Sequence, residues 1–99
     1  MSAAEHLYIV TYDIADARRW RAVFKLMHGY GEWLQLSVFQ CRLTRARQVE
    51  LLGRLADTIS AADDHVLLVD LGAAEQVEPH VQSLGKRRFE PIERAPVIV

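Results

Sequence analysis

Between Leu7 and Leu71 the apolar residues change their spacing in a set order, and that order restricts the fold more than any other feature. Leu7–Tyr12 (LYIVTY) is a β-branched and aromatic run bounded by Asp13, the pattern of a buried strand. Spacing then becomes helical. Asp16 suits an N-cap, because its carboxylate can accept from backbone N–H groups two or three residues on. From about Ala17 to Tyr30, Trp20, Val23, Phe24 and Met27 recur at i, i+3, i+4 and i+7, one apolar stripe. Arg18, Arg21 and Lys25 fall at i, i+3 and i+7 on another face. Gly29 and Gly31 supply the stop.

Trp33–Leu43 (WLQLSVFQCRL) follows. Leu34 and Leu36 share one parity, while Phe39, Cys41 and Leu43 share the other, so the apolar frame slips near Ser37–Val38. A one-residue slip exchanges the two faces of a strand. The segment is either one bulged strand or two short strands meeting at a tight bend. Thr44 caps a second helix, about Arg45–Ser60, with Val49, Leu52, Leu55, Ala56 and Ile59 as its expected core stripe. Ala61–Asp64 reads as a polar connector, with Asp63 and Asp64 in a solvated turn. His65–Leu71 (HVLLVDL) is a strand, apolar on both parities and so expected in the middle of a sheet. Ala73–Ser83 has room for a short helical turn before Gly85.

This order predicts an α+β chain of ferredoxin-like βαββαβ plan, with two helices on one face of an antiparallel sheet. The terminal Val97-Ile98-Val99 cannot pack alone and is expected to add an extra C-terminal edge strand, to its own sheet or a partner's. Ninety-nine residues predict a single domain, 1–99. The core of so short a chain is thin, and pairing with a second copy adds burial.

A net charge of −1 does not by itself point to nucleic acid. The distribution says more. Arg18, Arg19, Arg21 and Lys25 form one basic group; Arg42, Arg45 and Arg47 a second; Lys86, Arg87 and Arg88 a third. The acids fall mainly elsewhere, so a basic face is expected on a near-neutral chain. The single cysteine, Cys41, excludes an internal disulfide and suits a reducing cytosol. It lies on an apolar parity and is expected to be buried and inert. No apolar run reaches the ~18 residues of a membrane span, and the expected location is the cytoplasm. His6, His28, His65 and His80 lack the spacing of zinc ligands.

Two blocks carry a resemblance. Tyr8-Ile9-Val10-Thr11-Tyr12-Asp13-Ile14-Ala15-Asp16, followed by Arg18-Arg19, resembles the opening of the CRISPR-associated protein 2 family: an apolar strand ending in Tyr-Asp-(Ile/Val), then an Arg-rich helix. Tyr30-Gly31, then Gln35-Leu36-Ser37-Val38-Phe39-Gln40-Cys41-Arg42-Leu43-Thr44, resembles its Tyr-Gly…Gln-x-Ser-Val-Phe-Glu-x-x-Leu block. Gln40 stands where an acid is frequent, which weakens the case for a second carboxylate there. The tail Phe89–Val99 is similar to the family's variable end, whose strand pairs across a dimer.

The resemblance implies a homodimeric, metal-dependent endonuclease of CRISPR adaptation acting on RNA or DNA. It implies Asp13 as catalytic residue and metal ligand, with Mg²⁺ or another divalent ion between the Asp13 residues of two chains. It equally implies a non-catalytic adaptor that bridges the CRISPR-associated integrase and carries duplex DNA. Arg18 and Arg19, nearest Asp13, are the leading nucleic-acid contacts, followed by Arg21, Lys25 and Arg42. Asp16, Ser37 and Phe39 are supporting candidates. The plainer readings are that Asp13 ends the strand and helps cap the helix, that Asp16 caps, that Ser37 is satisfied locally, and that Phe39 packs.

Overall fold

The computed structural model describes residues 4–85. Strand β1 (Glu5–Asp13) buries Tyr8, Val10 and Tyr12 on one face, as its β-branched and aromatic composition demands. Helix α1 (Ala17–His28) begins at Asp16, whose Oδ2 accepts from the Arg19 backbone N–H at 2.9 Å. Val23 and Met27 are fully buried, with Trp20 and Phe24 packed beside them, so the expected stripe is the one that docks. After the helix, a Cβ on Gly31 would collide with Cys41 Sγ and the Gln40 carbonyl oxygen; only glycine lets the chain pass so close.

The slipped frame resolves as two strands, β2 (Glu32–Gln35) and β3 (Val38–Thr44). They meet at Leu36–Ser37, where Leu36 takes φ 35° and Trp33 Nε1 donates to the Leu36 carbonyl at 3.0 Å. A β-carbon in that left-handed region carries strain. Helix α2 (Arg45–Thr58) is capped by Thr44, whose Oγ1 accepts from the Arg47 N–H at 3.2 Å. Strand β4 (His65–Ala73) leads into a short 3₁₀ turn, Ala74–Gln76.

The four strands form one antiparallel sheet in the order β2-β3-β1-β4. Val10 lies opposite Phe39 on one side and Leu68 on the other. Both helices cover the face that carries Phe39, Cys41 and Leu43, and the core there includes Val10, Val23, Met27, Leu51 and Leu55. This is the βαββαβ arrangement with two helices on one face of the sheet.

Two expectations need correction. Among the described residues β4 is an edge strand of the sheet, not a central one. Its second parity, Leu67, Val69 and Leu71, is exposed rather than covered. In α2 the buried positions are Leu51 and Leu55, while Val49 and Leu52 are exposed. Leu55 and, in part, Ile59 keep their expected inward positions, but the docked face is centred about 80° from the expected stripe, at 100° per residue. Adjacent leucines at 51 and 52 allow either phase, and packing on the sheet selects the first. The terminal strand and the Lys86–Arg88 group lie outside the described residues. No helix among those residues is long and apolar enough to cross a membrane.

Candidate functional site

The carboxyl end of β1 gathers most of the candidates. Asp13 is the last residue of the strand and is exposed. It sits on the face the helices leave open, in line with Thr11 and Ile9, whose cross-strand partners are Leu67 and Val69. Its own partner across β4 is His65. Asp13 makes no side-chain hydrogen bond or ion pair among the described residues, so it does not cap α1; Asp16 does.

Asp64 is the residue that sequence reasoning misplaced. Far from lying in a solvated turn, its side chain is fully buried. Oδ1 accepts from the Ala15 N–H at 2.9 Å, and Oδ2 accepts from the Ser60 N–H at 2.8 Å. Arg19 donates through Nε to Oδ2 at 2.7 Å and through Nη2 to Oδ1 at 3.2 Å, a two-pronged contact. The Arg19 guanidinium above all, then the Ser60 and Ala15 backbone donors, hold the Asp64 carboxyl well below the usual carboxylate range against the opposing effect of burial. Two of its three partners, Arg19 and Ala15, lie 45 and 49 residues away, so no local pattern announces it.

Ser37 is brought to the same end of the sheet. Its carbonyl accepts from the Tyr12 N–H at 3.2 Å, and its hydroxyl accepts from Trp20 Nε1 at 2.8 Å. Among the described residues the buried Tyr12 hydroxyl finds no hydrogen-bond partner. Burial pushes its pKa up, and the nearby Ser37 hydroxyl offsets that in part. Phe39 is fully buried and lies 6.4 Å from Tyr12, 5.8 Å from Phe24 and 5.2 Å from His28 between ring centroids. It is a core residue. Burial also raises the Cys41 thiol to about 11, the signature of an inert cysteine.

The basic residues divide. Arg18 and Arg21 are exposed on α1. Arg19 is committed to Asp64. Lys25 lines a groove of about 510 Å³ between the helices with Tyr30, Arg47, Glu50 and Arg54. There Arg47 sits 4.2 Å over the Tyr30 ring and donates to Glu50 at 2.6 Å, while the Tyr30 hydroxyl also donates to Glu50. Arg42 is not brought into the site. It stands opposite Leu7, six residues and roughly 20 Å of strand from Asp13, and donates to the Ala74 carbonyl at 3.3 Å.

One chain does not complete a metal centre. Among the described residues no three His, Cys, Asp or Glu side chains come together as ligands. An exposed carboxylate free of other bonds nevertheless fits a hard cation, which takes one or two carboxylates and keeps several waters. The donor is present once per chain.

Known proteins match this chain over most of its length. The family described as "CRISPR associated protein Cas2" matches residues 6–78. The chain is 58% identical over 95 residues to the CRISPR-associated endoribonuclease Cas2 of Geobacter sulfurreducens, covering 96% of this chain and 99% of that one. It is 55% identical over 98 residues to CRISPR-associated endoribonuclease Cas2 1 of Rhodospirillum rubrum, covering 99% and 95%. Among solved structures, Streptococcus pyogenes Cas2 at pH 6.5 superposes with a TM-score of 0.69 at 34% identity, over 80% of this chain and 99% of that one. A hypothetical protein of Thermus thermophilus gives 0.70 at 30% identity, over 86% and 96%.

Proposed function

The chain belongs to the CRISPR-associated Cas2 family, and we propose that two copies of it meet across the open sheet face to hydrolyse phosphodiester bonds in RNA or DNA, each supplying Asp13. The observation that carries this reading is the state of the four acids at that end of the molecule. Asp16 is used as a cap, Asp63 accepts from the Ser60 hydroxyl at 3.3 Å and Asp64 is buried in four hydrogen bonds, while among the described residues Asp13 alone of the four is unengaged, and it is exposed. Its relatives' name, endoribonuclease, supports the same chemistry.

The homodimer is supported by Leu67, Val69 and Leu71. Leu67 and Val69 are 48 and 44% exposed on the face that also bears Asp13, and Leu71, next along the strand, is 39% exposed. Apolar groups gathered on one strand favour a cover. A two-fold contact there presents like to like and can bring the two carboxylates together. The pair would hold a divalent cation, Mg²⁺ being the expected ion, which supplies a Lewis acid for the phosphoryl oxygen and a bound water of lowered pKa. Arg18 and Arg21, exposed on α1, neutralise phosphates and hold the substrate without reading its sequence. The Ser37–Trp20 bond ties the β2–β3 hairpin to α1. The protein acts in the cytoplasm, in CRISPR adaptation.

The test is cleavage of defined RNA and DNA with and without Mg²⁺. Asp13→Ala is expected to reduce cutting to background while the melting temperature and oligomeric state stay as in the parent. A variant that cuts like the parent removes Asp13 from the mechanism.

A second reading is favoured by the exposure of Arg18 and Arg21 on α1, a basic surface that needs no metal to hold DNA. In it the dimer is an adaptor that bridges the CRISPR-associated integrase and lays duplex DNA over its basic helix surface. Spacer acquisition would then survive Asp13→Ala and fail on loss of Arg18 and Arg21.

A further inference from the structure

We propose that Asp64 and Arg19 form a positioning pair for Asp13, and that Arg19 is not a phosphate contact. The inference rests on the reading of Asp13 given above. The Asp64 carboxylate joins three pieces of chain: Ala15 in the β1–α1 loop, Arg19 in the first turn of α1, and Ser60 after α2. Ala15 is two residues beyond Asp13. His65, next to Asp64, is the residue paired across from Asp13. One buried group therefore fixes the backbone on both sides of the proposed ligand.

Arg19 completes that anchor. A buried carboxylate needs a charged or multiply bonded partner, and removing the partner leaves the charge uncompensated. The Nε and Nη2 edge of the guanidinium faces Asp64. That edge is one of the two a two-pronged phosphate contact can use, and with it engaged only the Nη1 side of the group is left unbonded by Asp64. Arg18, its neighbour, is exposed and carries no such bond. The pair thus splits in role: Arg18 meets nucleic acid, and Arg19 holds the loop that aims Asp13.

The experiment compares Arg19→Ala, Asp64→Ala, Arg18→Ala and Asp13→Ala in the full chain. Three quantities are read: kcat and KM on defined RNA and DNA, the salt dependence of nucleic-acid affinity, and amide hydrogen exchange at Ala15. Arg19→Ala and Asp64→Ala are expected to lower kcat about 10–100-fold, the scale for groups that orient a ligand. KM and the salt slope stay as in the parent, and exchange at Ala15 quickens. Arg19→Lys, which keeps a charged donor, recovers part of kcat. Arg18→Ala is expected to flatten the salt slope by about one phosphate's worth, 0.7–0.9.

Where an alanine variant does not fold, Asp64→Asn and Arg19→Lys carry the same comparison. The proposal is overturned if Arg19→Ala flattens the salt slope as Arg18→Ala does. It is also overturned if Ala15 exchanges at the parent rate without Asp64, or if kcat is untouched while that amide is loosened. Parent-like cutting by Asp13→Ala sinks the nuclease reading instead, and takes the positioning role with it, while the Ala15 exchange still reports whether Asp64 holds the loop.

Discussion

The two faces of the sheet carry similar side chains and meet different fates. On the helix-covered face Phe39 and Val10 are wholly buried among Val23, Met27, Leu51 and Leu55. On the other, Leu67 and Val69 lie about half exposed beside Ile9 and Thr11. Leu7, further along that same open face, is itself fully buried, and the Ala74–Gln76 turn packs against β1, so the exposure is concentrated on β4. An apolar strand face reports a need for cover, not where the cover comes from. The first face is where the chain's own stability resides, and the second is where Asp13 stands and a second copy is proposed to sit.

The sharpest way to break this contrast is to empty one position on each face. Phe39→Ala is expected to cost about 3–5 kcal/mol, the range for deleting a buried aromatic. Val69→Ala should change the stability of the isolated chain by less than about 0.5 kcal/mol, as surface substitutions do. Urea unfolding at low protein concentration measures both. Equal losses would mean that the open face contributes to the fold as much as the covered one. Next in size is Gly31→Ala. Its β-carbon meets Cys41 Sγ and backbone of β3, and overpacking of this kind costs about 1–3 kcal/mol. The strain falls on the covered face, so urea stability should drop and association should not.

Acid tests the site end of the same sheet. Asp64 has its folded-state pKa depressed, first by Arg19 and then by backbone donors. The unfolded chain therefore binds the proton more readily, and stability rises with pH across this group's titration. Its contribution is complete above the unfolded carboxylate value of about 4 and drains away as the pH falls below it. Urea midpoints at pH 6, 4 and 3 should fall more steeply for the parent than for Asp64→Asn. Asp70, also lowered, by the Gly72 N–H and then His6, contributes to the fall in both proteins alike. Parallel curves would show that Asp64 is not the anchor its geometry describes. Smaller again is Ser37→Ala, which removes the Trp20 acceptor and should cost about 1 kcal/mol.

These tests follow the line between what the sequence disclosed and what it hid. Asp16 and Thr44 were legible as caps because a cap speaks to a backbone N–H three residues away. The α1 stripe was legible because Trp20, Val23, Phe24 and Met27 admit one phase. The α2 stripe was not, since Leu51 and Leu52 offer two phases and only contact with the sheet chooses. Asp13 stood out by ending an apolar run, and it does end the strand. Asp64 could not be found, because three of its four bonds reach Ala15 and Arg19, far off in sequence. For the same reason Arg18 and Arg19 look alike in the chain and differ in the fold. β4 was misplaced at the sheet centre because a strand apolar on both sides reads the same whether its second cover comes from its own chain or from another.

That last ambiguity gives the smallest effect on stability and the most direct reading of the open face. Leu67→Lys with Val69→Lys places two charges where half-exposed apolar groups stood. Since no helix among the described residues packs on those positions, unfolding of the isolated chain should move by no more than about 0.5 kcal/mol per site. Association is a different matter. Two lysines on each copy face two more across a two-fold axis, and burying unpaired ammonium groups there is strongly disfavoured. Sedimentation should find the parent paired and the variant single. Cleavage should be lost with pairing, although Asp13, Arg19 and Asp64 are all intact. A variant that still pairs would move the contact to another surface, and a single chain that still cuts would show that one Asp13 suffices.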